Sequence, residues 1–239
     1  GTTGVKLEAN LASPTGGENF VIYPLGENFT GNYQLRFDAW MNIDLDAFYN
    51  NGAAGTTEFI GGGLGYDDTA DGIGPGAQML ATGDGGSGSD WRIFMEGSFL
   101  GTNEMVAGTR NGFDPYYSDY LLEVLPPAGQ AQTYVGPEGS VAGSTAFQWV
   151  TFQITTANGV AGFFIEKPGG DLLPIAASGR PYTSDGNIGL VYADFFSSVA
   201  ANPSLQFGLI DNVEVTAIPE PSSLLLVTGA LAAAIRRRG

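Results

Sequence analysis

Tyr33-Gln-Leu-Arg-Phe-Asp-Ala-Trp-Met-Asn-Ile-Asp-Leu45 decides how the chain folds. Tyr33, Leu35, Phe37, Ala39 and Met41 alternate with Gln34, Arg36, Asp38, Trp40 and Asn42. In extended backbone, successive side chains point to opposite faces, so the apolar set lines one side and the mostly polar set the other. A period of two sustained this long predicts a strand with one face buried.

The flanking segments read the same way. Residues 6–11 give a first strand with no evident partner, and residues 20–25 give another, with Pro24 placing it near an edge or an end. Residues 56–66 form a strand thinned by glycines, as where a second sheet approaches closely, and residues 77–82 and 91–100 continue the pattern. Residues 101–145 are less regular, although Asp114-Pro115 is suited to start a short helix, with Asp114 as N-cap. The sharpest local signal is Asn158-Gly159 between two apolar-rich runs, a hairpin turn of the primed type spanning residues 147–167. Pro168-Gly169-Gly170 turns the chain again, and strands follow at residues 186–195 and 204–216. Many regularly spaced strands and no long helix predict an all-β fold, an antiparallel β-sandwich or jelly roll.

Composition narrows the chemistry. The 239 residues suffice for one large β domain, and 37 glycines with 12% aromatics suit strands joined by tight turns. The net charge is −16, and −18 for the body once Glu220 and three terminal arginines are set aside. Such a field repels polyanions and excludes nucleic acid as a partner. The chain has no Cys and no His. Disulfides, thiolate nucleophiles, Ser-His-Asp triads and imidazole-bound zinc are therefore all excluded.

The C-terminal stretch has a different character. Pro219-Glu220-Pro221 is followed by an apolar run over residues 222–235 and by Arg236, Arg237 and Arg238. The run favours a helix, but its fourteen residues fall short of the ~20 that span a bilayer comfortably. Arginines after it would stay cytoplasmic, leaving the body outside. In this order of parts the tail resembles a PEP-CTERM sorting signal. The resemblance implies export, recognition and cleavage at Pro-Glu-Pro by an exosortase, transient membrane insertion, and two units: a β-sandwich at 1–217 and a sorting tail at 218–239. Gly1 follows no apolar leader, so it is read as lying at or after a processing site, or as the start of the observed chain.

The body also resembles the laminin-G/concanavalin-like jelly roll in the order of residues 33–42, 149–166, 187–194 and 207–213. Three constellations carry possible chemistry. Asp67, Asp68 and Asp71, followed by Gly72 and then Asp84 and Asp90, lie in glycine-rich loops of a composition that suits calcium, the one cofactor implied. Solvated turn carboxylates are the alternative reading. Tyr116, Tyr117 and Tyr120 offer a surface platform for sugar rings; Trp91 and Trp149 read as core or sheet-face residues. Glycoside hydrolysis needs a pair of carboxyls held across a cleft. Ile43-Asp44-Leu45-Asp46 is the nearest approach to such a pair and lacks the glutamates of jelly-roll glycosidases, so no enzyme is expected.

The expected function is that of a non-enzymatic structural protein of the cell surface or extracellular matrix. It would self-associate into a homopolymer by lending the unpaired first strand to a neighbour. The alternative is a lectin-like surface module, calcium-dependent, with extracellular polysaccharide as partner.

Overall fold

A computed structural model describes residues 4–12, 16–130, 136 and 138–219. With strands numbered in chain order, the first sheet runs in space as β1 (Val5–Leu7), β12 (Phe207–Ala217), β3 (Tyr33–Asn42), β8 (Val150–Ala157), β9 (Val160–Glu166) and β10 (Leu173–Ser178). The second runs as β2 (Glu18–Ile22), β11 (Asn187–Asp194), β4 (Phe59–Tyr66), β5 (Ala77–Thr82), β6 (Trp91–Met95) and β7 (Ser98–Phe99). Every strand pair is antiparallel, and the sheets stack as a jelly-roll-like sandwich.

β3 keeps its alternation in full: Tyr33, Leu35, Phe37, Ala39 and Met41 are buried, and the residues between them are half-exposed up to Trp40. Phe37 stands opposite Phe152 of β8 and stacks on it at 5.2 Å, anchoring the core. On β4, Ile60, Gly62 and Leu64 face this core while the other face is also buried. A Cβ at Gly62 would lie 2.7 Å from the Gly189 carbonyl oxygen and 3.0 Å from the Phe37 ring. Gly62 therefore lets the two sheets close on each other, whereas Gly61 and Gly63 make room for β5 side chains and backbone within their own sheet. The β8–β9 hairpin turns at Asn158 (φ 53°) and Gly159 (φ 76°), both left-handed as a type I′ turn demands.

Two expectations need correction. The first strand is not unpaired: Val5, Lys6 and Leu7 pair with Ile210, Leu209 and Gly208 of β12. Apolar Leu7 prefers the sandwich core to solvent, and self-association by strand lending loses its basis. Nor does β3 run on to residue 45. Asp44 instead caps helix α1 (Leu45–Asn50), its Oδ1 accepting from the Ala47 N–H at 3.2 Å and its other oxygen from Asn202 N–H at 2.8 Å. Asp46 lies in the first turn of the same helix, where its carboxylate accepts from the Asn50 side chain at 2.7 Å. The second helix, α2 (Pro115–Ser118), starts where expected, with Asp114 accepting from the Tyr116 N–H.

One end of the sandwich is closed by buried polar groups. Asp90 accepts from Gly112 N–H (2.7 Å) and from the Ser87 hydroxyl (2.6 Å), and Asp84 accepts from the hydroxyls of Thr57 (2.6 Å) and Thr56 (3.2 Å). These two loop aspartates tie turns together. Burial pushes the Asp84 carboxyl up to about 7 despite its hydroxyl donors. Glu58, hydrogen-bonded by Tyr192 Oη, is pushed up to about 9 by burial, reinforced by the charges of Asp194 and Asp84.

Carboxyls whose folded pKa is raised contribute stability that is complete below their ordinary range and lost as pH climbs through the raised values. Melting curves should show a fall of about 2 kcal/mol or more between pH 5 and pH 9. Glu58→Gln should flatten the upper part of that fall; an unchanged profile in the variant would contradict the assignment. Gly62→Ala should cost about 1–3 kcal/mol in denaturant unfolding, because its methyl meets backbone and a packed ring.

Candidate surface groove around Trp149

Alternation on the first sheet lays two cross-strand rows on its outer face. One is Glu166–Thr151–Asp38–Asp211; the next is Phe164–Gln153–Arg36–Glu214. Trp149 precedes β8 in the outward parity and is 38% exposed, whereas Trp91 is 1% exposed. Trp40, on the same outer face, is half-buried against Phe147 and Phe207.

A hollow of about 310 Å³ lies beside Trp149, lined by Arg36, Asp38, Thr151, Glu166, Lys167 and Glu214 among others. A second, of about 260 Å³, shares Asp38, Trp149, Pro168 and Asn212 with it and adds Asp211. The two form one groove with the indole in its wall.

A bulge in β12 shapes the groove. Between the pairs Asp211–Asp38 and Glu214–Arg36, β12 carries two residues where β3 has one. Asn212 takes the left-handed backbone (φ 52°) that an amide side chain tolerates. Its Nδ2 donates to Asp38 Oδ2 at 2.8 Å and its backbone N–H to Asp211 Oδ1 at 2.8 Å. Asp38 also accepts from the Thr151 hydroxyl. The cations of the groove are engaged: Arg36 pairs with Glu166 at 2.9 Å, and Lys167 Nζ donates to the Tyr120 carbonyl at 2.7 Å. The result is an aromatic face beside planar donors and acceptors on rigid strands.

The tyrosines do not form the expected platform. Tyr117 is fully buried, stacked on Trp91 at 5.4 Å, with its hydroxyl donating to the Thr109 carbonyl. Tyr116 donates to the Pro174 carbonyl at 2.6 Å; Tyr120 donates to the Asp171 carbonyl and accepts from Lys167 N–H. All three clamp the long loop onto the sandwich, because amphipathic phenols satisfy the backbone carbonyls they cover.

Of the aspartates of the 67–71 loop, Asp67 and Asp68 share one hollow and Asp71 lines another. Asp67 accepts from Thr69 N–H and hydroxyl at 3.0 and 2.8 Å, bonds that hold its carboxyl below the usual range. Asp68 accepts from Asn187 Nδ2 at 2.7 Å, and Asp71 faces a different hollow with Glu8 and Glu18. Among the described residues no cluster of three or more acidic side chains is placed to hold a metal ion. The outward parity of Trp149 with Thr151 and Gln153 was the sequence signal for the groove; the β12 bulge gave none.

At the opposite end from α1, β12 ends at Ala217 and Ile218 N–H donates to the Asn32 carbonyl at 2.9 Å. Pro219 follows, exposed, while Glu220, Pro221, Arg236, Arg237, Arg238 and the expected apolar helix lie outside the described residues. Residues 217–238 match the PEP-CTERM protein-sorting motif. The chain carries a PEP-CTERM sorting tail. This signal, which exosortase recognises, marks the protein for export.

No curated protein matches the chain in sequence. Among solved structures it is similar to the carbohydrate-binding module CBM66 from Bacillus subtilis, with 8% identity over 90% of this chain and 92% of that one and a TM-score of 0.44. It is also similar to sheep galectin-11 in complex with glycerol, with 9% identity over 83% and 98% and a TM-score of 0.37. The botulinum neurotoxin serotype D binding domain matches 93% of this chain at 10% identity and a TM-score of 0.42, and the chain spans 41% of its length.

The buried and the exposed tryptophan should differ sharply in their response to truncation. Trp149→Ala should shift the unfolding free energy by less than about 1 kcal/mol, whereas Trp91→Ala should cost about 3–5 kcal/mol. Denaturant melts of both variants check this.

Proposed function

We propose that this is an exported surface protein whose sandwich body binds extracellular polysaccharide in the Trp149 groove, by non-covalent contact and without catalysis. The observation that carries the reading is the exposed indole flanked by two hollows whose walls are carboxylates, an amide and a guanidinium held by strands. Sugar rings present apolar C–H faces that stack on aromatics and hydroxyls that need donors and acceptors together. Residues on strands, with their rotamers fixed by cross-strand hydrogen bonds, bind with little ordering cost. The sorting tail supports the location, since an exported surface protein meets polysaccharide there.

Two features support binding over hydrolysis. A glycosidic general acid needs a carboxyl raised toward neutrality. The carboxyls that burial pushes up, Glu58, Asp84 and Asp194, line neither hollow. The groove carboxylates are instead at least partly open to solvent: Glu166 is paired with Arg36, and Asp38, Asp211 and Glu214 accept from neutral donors.

Titrating the full chain with a panel of soluble polysaccharides should find a binder, and Trp149→Ala should weaken it by about tenfold or more. Binding unchanged in that variant, a panel with no binder, or release of new reducing ends would each overturn the proposal.

A further inference from the structure

Asp38 and Asp211 stand directly opposite each other on neighbouring antiparallel strands. Like charges in that relation destabilise a sheet. Their hydrogen-bond partners among the described residues are neutral: Thr151 and Asn212 on Asp38, and Asn212 N–H on Asp211. Glu214, one row along, accepts from the Thr216 hydroxyl at 3.2 Å. Ion pairs among the described residues join Lys6 to Glu8, Arg36 to Glu166 and Arg180 to Glu104, so none reaches these three carboxylates. The smaller hollow, lined by Trp149, Asp38 and Asp211, has no cation in its wall; Arg36 and Lys167 line the adjoining one, where Arg36 is paired with Glu166 and Lys167 with the Tyr120 carbonyl. A local rule is broken on the face that also exposes a tryptophan, and such breaks concentrate where a ligand supplies the missing interaction.

The missing interaction is a positive charge. An ammonium group attached to a ring would meet the carboxylate pair, while the ring meets the indole face, which itself attracts cations. We infer that the groove selects polysaccharides of amino sugars with free, protonated amines, over neutral glycans and against uronic-acid polymers. The inference rests on the carbohydrate reading above and names its ligand class. Asn212 is the positioning residue: its left-handed backbone aims one donor at each carboxylate and keeps both turned to the groove.

The test compares three probes on the full chain by calorimetry at low and high salt: a glucosamine oligosaccharide, its N-acetylated counterpart of equal length, and an oligo-uronate. N-acetylation keeps the ring and removes the charge, so it isolates the proposed contact. The glucosamine oligomer should bind about tenfold or more tighter than its acetylated counterpart, with the gap narrowing in high salt, and the oligo-uronate should not bind. Asp38→Asn and Asp211→Asn should each close most of that gap. Glu27→Gln, an equal charge change on an exposed residue that lines neither hollow of the groove, should leave it, which separates the site from the general negative field. Equal affinity for the two glucosamine probes, or a gap that Glu27→Gln closes equally, overturns the inference while leaving polysaccharide binding intact. Absence of binding to any glycan overturns both.

Discussion

The structure depends on the alternation of β3, fixed between β12 on one side and β8 on the other. Phe37 and its neighbours of odd number seal the sandwich from within, stacked on Phe152. That burial sets the register, since a slip of one residue would expose the whole apolar face. Once the register is set, Arg36 and Asp38 must point outward, Thr151 and Glu166 must stand beside them, and Asp211 must face Asp38. The groove is a consequence of packing on its opposite side.

The two outer faces of the sandwich differ for a physical reason. On the second sheet, Phe59, Leu80, Val191 and Tyr66 are buried on the outer side, folded down over the glycines of β4 and over one another. Arg92 lies over the Phe59 ring at 4.3 Å and completes that cover. On the first sheet most outer residues of the rows around Asp38 and Arg36 are polar, so that part of its face stays open. The polar groups at the α1 end are sealed inside, where burial keeps carboxyls such as Glu58 protonated well above their ordinary range. Carboxylates therefore divide into an internal set that closes an end and an external set around Trp149.

Much of this was legible in the residues. Alternation gave β3, Asn158-Gly159 gave its hairpin, and Asp114-Pro115 gave the start of α2, because each is a local rule with a local cause. The sorting tail was legible for the same reason, as three parts in fixed order. The tyrosines misled because Asp114-Pro115-Tyr-Tyr looks exposed by composition, yet Tyr117 is drawn under Trp91, a partner 26 positions earlier in the chain. The 67–71 aspartates misled because carboxylates close in sequence need not converge on one point; Asp67 is taken up by Thr69, Asp68 by Asn187, and Asp71 lines another hollow. The groove itself joins residues from β3, β8, β9 and β12, and the bulge at Asn212 is visible only once β12 is paired.

The groove row at Asp38 lies five residues along β3 from Tyr33, where β12 ends and the tail leaves, or about 17 Å at strand spacing. The bond from Ile218 N–H to the Asn32 carbonyl thus fixes where the chain leaves the sandwich relative to its open face. The most direct measurement is an NMR titration of the isotope-labelled chain with a panel of polysaccharides, following its three tryptophan indole N–H signals. The account predicts that Trp149 moves first and furthest while Trp91 stays in place. Movement centred on Trp91 or on the tyrosine loop, with Trp149 still, would contradict it.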